Sequence, residues 1–486
     1  MTGGGLPALS GIEGTGVAGA IAPVAPSTGP ESGELHCRVS DDLFAVIGKC
    51  LGNGTGQCLV VDDRDRALGR IDLDSLRAAI KQGDARLAKG WRDLIKPLHG
   101  DDALLLPVLD DAGRLRDVVV NRATQPVQIA RPDLSGLEFR LLLDAFLSTW
   151  ISSCGEYLAA FQSQFAGLLG SRHAIAVSNG TMALQLALAA LDIGPGDEVI
   201  LPDLTFAATI NAVLHAGARP VIVDVDAGWG IDVSKARRAI TRKTRAIMPV
   251  HLYGRPAELG ALSEIATPRG IALIEDCAEA LGARYEDRAV GRFGAIGCFS
   301  FFANKTITTG EGGICVTDSD ELAGRLKELR DHGMAPGKRY WHERVGFNGR
   351  MTNLQAAIGT GQLQRFGEIV ERNRRIDSLY RRHLLGIPGV QFPSAPANHV
   401  EPAIWLVSVL VPPARRDPLI AAAKATGIEL RPFFYPLSAM PPYRRYGRTG
   451  ANSQALSQSG INLPTSNAVD ETVAARLAQV FRDVLA

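Results

Sequence analysis

Among the 486 residues, one lysine, one aspartate and one short glycine-containing turn have the types and spacing to do chemistry together. Lys305 lies in Ser300-Phe-Phe-Ala-Asn-Lys305-Thr-Ile-Thr-Thr-Gly310-Glu-Gly-Gly313, after an apolar run and before a glycine turn. A lysine so placed can bond to an aldehyde, and the glycines let backbone approach closely. Taken alone it would read as a solvated surface residue. Asp276 changes that reading, because it ends another strand-like run, Ile271-Ala-Leu-Ile274-Glu275-Asp276. Ser178-Asn-Gly180-Thr181 directly precedes a helical pattern over 182–191, where free N–H groups and a positive dipole end suit a phosphate. A lysine for an aldehyde, a carboxylate for a pyridine nitrogen and small polar groups for a phosphate are what pyridoxal 5'-phosphate needs. The carboxylate would keep the ring nitrogen protonated, so that the ring accepts electrons when a substrate α-proton leaves.

Positioning these groups requires strands that alternate with helices. Short apolar strands are expected at Glu198-Val-Ile-Leu201, Pro220-Val-Ile-Val-Asp224, Ala246-Ile-Met-Pro-Val250 and Ile271-Ala-Leu-Ile274. Such alternation implies a mostly parallel sheet with its chemistry at the carboxyl ends of the strands. An Arg-rich helix over 371–382 leads into a smaller C-terminal α+β domain. Gly52-x-Gly54-x-Gly56 precedes a strand rather than following one, so it reads as a turn and not a dinucleotide loop. The chain has no GxxxxGK[ST], HExxH or GxSxG.

The motifs taken together resemble one family. Ser178-Asn-Gly-Thr181, Pro202-Asp-Leu-Thr-Phe206-Ala-Ala-Thr, Pro249-Val-His251-Leu-Tyr-Gly254, Glu275-Asp276-Cys-Ala-Glu279-Ala, Ser300 to Lys305 and Gly346-Phe-Asn348-Gly-Arg350-Met look like the DegT/DnrJ/EryC1/StrS sugar aminotransferases, in the family's order from about Ala130 to the C-terminus. The resemblance implies that Lys305 bonds to the cofactor aldehyde, Asp276 meets the pyridine nitrogen and Phe206 stacks on the ring. It makes Thr181 and Ser300 phosphate ligands, helped by the backbone of Gly180 and Met182. Glu279 would lie near the cofactor's phenolic oxygen, and Asn348 would reach the phosphate of a neighbouring subunit. Tyr340-Trp-His342, Arg350-Met-Thr-Asn353, Arg431-Pro-Phe-Phe-Tyr435-Pro and Ile461-Asn-Leu-Pro464 look most like those members that aminate C4 of a GDP-4-keto-6-deoxy-mannose. His332, Arg431 and Tyr435 are the substrate candidates. His332 and His251 also have plain structural readings, and those are favoured over catalytic ones.

Two positions depart from the family pattern. Gly349 replaces an aromatic and is expected to loosen the loop that carries Asn348. Ser438 replaces a histidine in a region expected near the sugar. The implied reaction moves an amino group from L-glutamate to a nucleotide-linked 4-keto-6-deoxy sugar, for surface polysaccharide or glycan synthesis; another nucleotide keto sugar (UDP- or dTDP-linked) or a cyclitol is the alternative. A related 3-dehydratase would carry histidine for Lys305, and a non-catalytic sensor would lose Lys305 or Asp276. The implied partners are the two substrates and a second copy of the chain, in a homodimer or larger homo-oligomer with a shared site.

The expected fold is α/β: a pyridoxal-phosphate-dependent transferase of fold type I, with a large domain over 126–375 and a small one over 376–486. Residues 1–33, rich in Gly, Pro and Ala, read as a disordered tail, and 123–132, with two prolines, as a linker. Between them, 34–125 show a weak duplication. Two acidic turns, Asp62-Asp63 and Asp110-Asp111, sit 48 residues apart, each after a strand-like run. This resembles a cystathionine-β-synthase-type (CBS) regulatory pair, with Asp72 and Ser75 where such modules carry a Thr-x-x-Asp ribose contact. Lys+Arg 52 against Asp+Glu 51 gives no electrostatic reason to expect nucleic acid or a membrane. No Lys or Arg precedes Arg38, and the seven cysteines are scattered without CxxC spacing, so a reducing cytoplasm is expected and a metal site is not.

Overall fold

The computed structural model describes residues 35–53, 55–82, 91–96, 105–109, 115–120 and 126–486. The expected N-terminal tail lies outside the described residues.

The large domain is built on a seven-stranded sheet. Its order is His173–Val177, Gly313–Thr317, Ile296–Ser300, Ala272–Asp276, Thr244–Ile247, Glu198–Pro202, Arg219–Val223. The last five strands run parallel to one another, whereas Gly313–Thr317 is antiparallel to both of its neighbours. Alternation along Ile296–Ser300 divides its side chains between two cores. Ile296 and Cys298 join Leu184, Leu188 and Ile274 in one, while Phe299 joins Phe161, Phe165 and Ile314 in the other. Phe299 and Phe301 meet Phe165 and Phe161 edge to face, each at 5.2 Å between ring centres. That packing fixes the end of the strand, and Ser300 between the two rings is left half-buried for chemistry.

The small domain pairs Val407–Leu410, Gly460–Leu463 and Arg431–Pro432 in an antiparallel sheet under helices Phe366–Leu384, Pro413–Ala425 and Glu471–Leu485. The first of these helices runs without a break past residue 375. The stretch read as a linker is in part structural. Val127 is buried in the small-domain core, its N–H donates to Gly427 O, and its carbonyl accepts from Glu429 N–H. Its alternating apolar residues, Val127 and Ile129, are both 1% exposed, which is why the two prolines did not leave it loose.

Two buried aspartates tie the domains together. Asp203 and Asp224 follow adjacent strands at their carboxyl ends. Asp203 accepts from Ser438 N–H and Ser438 Oγ, each at 2.8 Å. Asp224 accepts from Ser453 N–H and Oγ, from Asn452 N–H and from Lys235 Nζ at 2.7 Å.

Preceding all this are two hairpins of matched design. Gln57–Val61 pairs with Ala67–Asp72, and Leu105–Leu109 with Leu115–Val120. Each has its irregularity at the equivalent step, Val60/Val61 and Val108/Leu109, 48 residues apart. The strand pairs thus repeat at the expected spacing, while the second acidic turn, Asp110-Asp111, lies outside the described residues. Asp72 has local work: Oδ1 accepts from Ser75 N–H at the start of helix Leu73–Gln82, and Lys96 pairs with Oδ2 at 2.7 Å. Helix Leu43–Gly52 rests on helix Gly136–Leu147 of the large domain, with Phe44 and Phe139 rings 5.9 Å apart.

Burial opposes the charge of Asp224, but Lys235, Ser453 and Asn452 outweigh it and bring its pKa down to about 2. A carboxylate depressed below its ordinary 3.8 contributes fully above that value and loses its contribution as pH falls towards 2. Asp224→Asn should therefore lower Tm near neutral pH, and its deficit relative to wild type should shrink as the melting buffer is taken from about pH 5 to about pH 2. A deficit that stays constant with pH would show that the charge of Asp224 is not what matters.

Candidate active site

Lys305 occupies the turn after the Ile296–Ser300 strand, and Asp276 ends the neighbouring one. Lys305 Nζ lies 3.5 Å from Glu279 Oε1 and 3.8 Å from the centre of the Trp405 ring. The Trp405 indole N–H donates to the Asn304 carbonyl at 2.6 Å, which fixes the backbone just before Lys305. Glu279 is buried, and its other oxygen accepts from Tyr253 N–H at 2.9 Å. Burial raises the Glu279 pKa against the pull of Lys305 and Tyr253, and Asp276 adds to the rise.

Asp276 is 5% exposed. Oδ2 accepts from Thr209 Oγ1 at 2.8 Å and Oδ1 from Ala278 N–H at 3.2 Å. Burial pushes its pKa up, while Thr209, Ala278, Lys305 and His251 oppose the rise. A cation hydrogen-bonded here would hold Asp276 ionised. Thr209 stands one helical turn after Phe206 on helix Ala207–His215, so a single turn sets both the carboxylate and the ring. Phe206 is 60% exposed and rests one edge against Phe434, 5.8 Å away.

The phosphate-binding candidates cluster at the start of helix Gly180–Ala190. The helix begins two residues earlier than its sequence pattern, because Asn179 caps it by accepting from Met182 N–H at 2.8 Å. The Met182 amide, expected to help hold the phosphate, donates to that cap in this structure. The N–H groups of Gly180 and Thr181 remain at the open end. A Cβ on Gly180 would stand 2.7 Å from Ser300 Cβ, so only glycine lets the strand end and the helix end form one cradle. Cradle, buried carboxylate, exposed ring face and lysine amine fit a phosphorylated pyridine aldehyde.

Other expectations change on inspection. Gly349 is no loose point: its N–H donates to Arg330 O, its carbonyl accepts from Ser178 N–H, and a Cβ there would lie 2.9 Å from Met182 Cγ. A bulky Met182 fills the space a larger residue at 349 would need. Ser438 is buried on Asp203 and braces the Phe206 loop instead of facing a sugar. His251 is structural. Its Nδ1 accepts from Ala257 N–H and its Nε2 faces Glu275, whose carboxylate also gathers the N–H groups of Gly291, Phe293 and Gly294. Asn348 and His332 are exposed together on a loop outside the Lys305 cluster, where Asp331 pairs with Asn348 across a short bridge. Arg431 is exposed with Nε on Glu429, and Tyr435 is 58% exposed beside Phe434. Trp405 and Thr209 were missed. Thr209 ends a quoted motif, but nothing in the sequence links Trp405 to Lys305.

Residues 133–482 match the DegT/DnrJ/EryC1/StrS aminotransferase family. The chain belongs to that family. It is a pyridoxal-phosphate-dependent aminotransferase. It is 41% identical over 364 residues to the GDP-perosamine synthase of Caulobacter vibrioides, covering 74% of this chain and 98% of that one. Among solved structures, DesV of S. venezuelae superposes with a TM-score of 0.67 at 34% identity over 71% of this chain and 93% of that one. The PLP form of the sugar aminotransferase Spr1654 of Streptococcus pneumoniae gives 0.70 at 25% identity over 74% and 98%. The two hairpins precede the family match.

The contact between Gly349 and Met182 can be tested by a paired substitution. Gly349→Ala should overpack the cradle at a cost of about 1–3 kcal/mol and weaken cofactor retention, measured by absorbance after dialysis. Adding Met182→Ala should restore much of the loss. Failure of the second change to rescue the first would show that the two residues act separately.

Proposed function

We propose that this aminotransferase takes the amino group of L-glutamate and delivers it to C4 of GDP-4-keto-6-deoxy-mannose, the reaction of a GDP-perosamine synthase. The observation that carries this reading is the 41% identity to such an enzyme over 98% of its length, with Lys305 and Asp276 both in place. Bound pyridoxal phosphate supplies an aldehyde for amine exchange and a ring that draws electrons from the carbon beside the amine. Asp276 would keep the ring nitrogen protonated, and Thr209 fixes the carboxylate's orientation. Phe206 covers one ring face and sheds water from it. Gly180, Thr181 and Ser300 anchor the phosphate. With the cofactor bound, Lys305 Nζ would serve as the base that takes the donor α-proton and as the acid that returns one, and it would serve the sugar in the reverse sense. Glu279 and the Trp405 face steady the ammonium form of Lys305 between transfers. Arg431 and Tyr435 are the substrate-side candidates on this chain.

The site is proposed to be shared between subunits of a cytosolic homodimer. Val345 is 97% exposed and Trp341 51%, both on the segment between His332 and Asn348. Apolar groups exposed to that degree beside a polar loop support burial against a second copy, with Asn348 reaching the neighbour's phosphate. The matched hairpins over 57–120 support reading 34–125 as a CBS-like module for assembly or regulation, outside the catalytic machinery.

Two measurements check these readings. Purified enzyme given L-glutamate and GDP-, UDP- and dTDP-linked 4-keto-6-deoxy sugars in parallel should aminate the GDP-mannose derivative with the highest kcat/KM, by mass spectrometry and NMR of the product. Preference for a UDP or dTDP sugar would overturn the substrate assignment. Mixing Asn348→Asp with Lys305→Ala subunits should regenerate part of the wild-type activity that neither variant has alone. Mixed oligomers without recovered activity would mean that each site is built within one chain.

A further inference from the structure

A cavity of 390 Å³ opens between the domains, away from all the residues assigned to the cofactor. The loop after strand Arg219–Val223, the helix Phe366–Leu384 and the residues before Val407 enclose it, and Tyr253, Ala403 and Leu406 give it apolar walls. Its charge is unusual. Arg255 lies on the Trp229 ring at 5.2 Å, with Nε on Gly228 O and Nη2 on Ser394 O, each at 3.2 Å. Both hydrogen-bond acceptors of its guanidinium are backbone carbonyls. Arg381 lies on the Phe392 ring at 4.6 Å, but its Nε is neutralised by Asp377 at 2.8 Å. Among the described residues, the lining therefore carries one cation without an ion-pair partner of its own, with Asp226 acting on it from outside the lining. Burial lowers the Arg255 pKa, Asp226 opposes the shift and Arg381 reinforces it.

A guanidinium held flat on an aromatic ring, with only carbonyl partners, is a rigid fork matched to a planar oxyanion. The volume is at the small end of ligand pockets and suits a body of about one ring. We propose that this cavity is a second ligand site, which takes a monocarboxylate with an apolar, ring-sized body: the head on Arg255, the body against Tyr253 and Leu406. A single net positive charge favours a monoanion over a phosphate dianion, because Arg381 already has its partner. The site would communicate with Lys305 through Tyr253. That residue forms one wall of the cavity, its backbone N–H holds Glu279, and its ring stacks on Trp405 at 6.3 Å.

The test uses the full chain loaded with its cofactor and benzoate as probe, followed by calorimetry and by the melting temperature. Benzoate should bind saturably, one per chain, and raise Tm. L-glutamate at saturating concentration should not displace it, which separates this site from the donor pocket. Arg255→Gln should weaken benzoate at least tenfold while the enzyme still exchanges amine with L-glutamate, and Arg381→Gln, if the first variant folds poorly, should weaken it severalfold. Benzamide, neutral and nearly the same shape, should bind at least tenfold less tightly. Displacement by L-glutamate, equal binding of benzamide, or unchanged binding in both arginine variants would overturn the proposal. Tighter binding of phenyl phosphate than benzoate would overturn the choice of a monocarboxylate.

Discussion

The burial of Asp276 is the constraint that the rest of the site answers to. A carboxylate closed off at the end of a central strand is costly unless donors or a cation compensate it. The chain supplies one hydroxyl, from Thr209, and one amide, from Ala278. A cationic ring nitrogen would complete the set. Phe206, on the same helical turn as Thr209, cannot move without disturbing the carboxylate's only side-chain donor. Lys305 and Glu279 form a second pair close by, so two acids and one amine share a dry volume and each biases the others. The pKa values of both acids are raised by burial, and both are pulled back by the same lysine.

Around that centre, packing is divided by function. The phenylalanine cluster fixes the strand that ends at Ser300, and Glu275, next to Asp276, turns the other way to gather the 291–294 loop and His251. One dipeptide thus serves two ends: Glu275 is spent on structure so that Asp276 can be spent on chemistry. A buried carboxylate with four partners is well compensated, and its removal would leave several amides unpaired.

The parts of the site that follow local rules were readable from the sequence. Lys305, Asp276 and the helix after Asn179 announce themselves by residue type, apolar flanks and capping chemistry. The alternation of strands and helices gave the mostly parallel sheet with its site at the strand ends. What was not readable depends on contacts between distant segments. Trp405 comes from 101 residues past Asn304 and from another domain, and no spacing connects an indole to a lysine across such a gap. Ser438 has the chemistry of a ligand but is turned inward by a buried aspartate 235 residues earlier. Gly349 looked like a loose point until Met182 was found in the space beside it. The prolines near Val127 signalled a linker, and the apolar pair around them outweighed that signal.

The docking of Val127 and Ile129 on the small domain has a consequence for how the chain is made. Ile129 N–H finds its acceptor on Glu429, 300 residues later. At about 5–20 residues per second, a ribosome needs roughly 15–60 s to deliver that acceptor. Throughout that interval Val127 and Ile129 have no seat, although the Phe44–Phe139 contact can already hold the N-terminal helix on the large domain. The sheet of the large domain can close meanwhile, since all its strands emerge before residue 318. Vectorial synthesis therefore favours a sequence in which the cofactor-binding sheet forms first and the strand-like stretch at Val127 and Ile129 is captured last, when the small domain arrives.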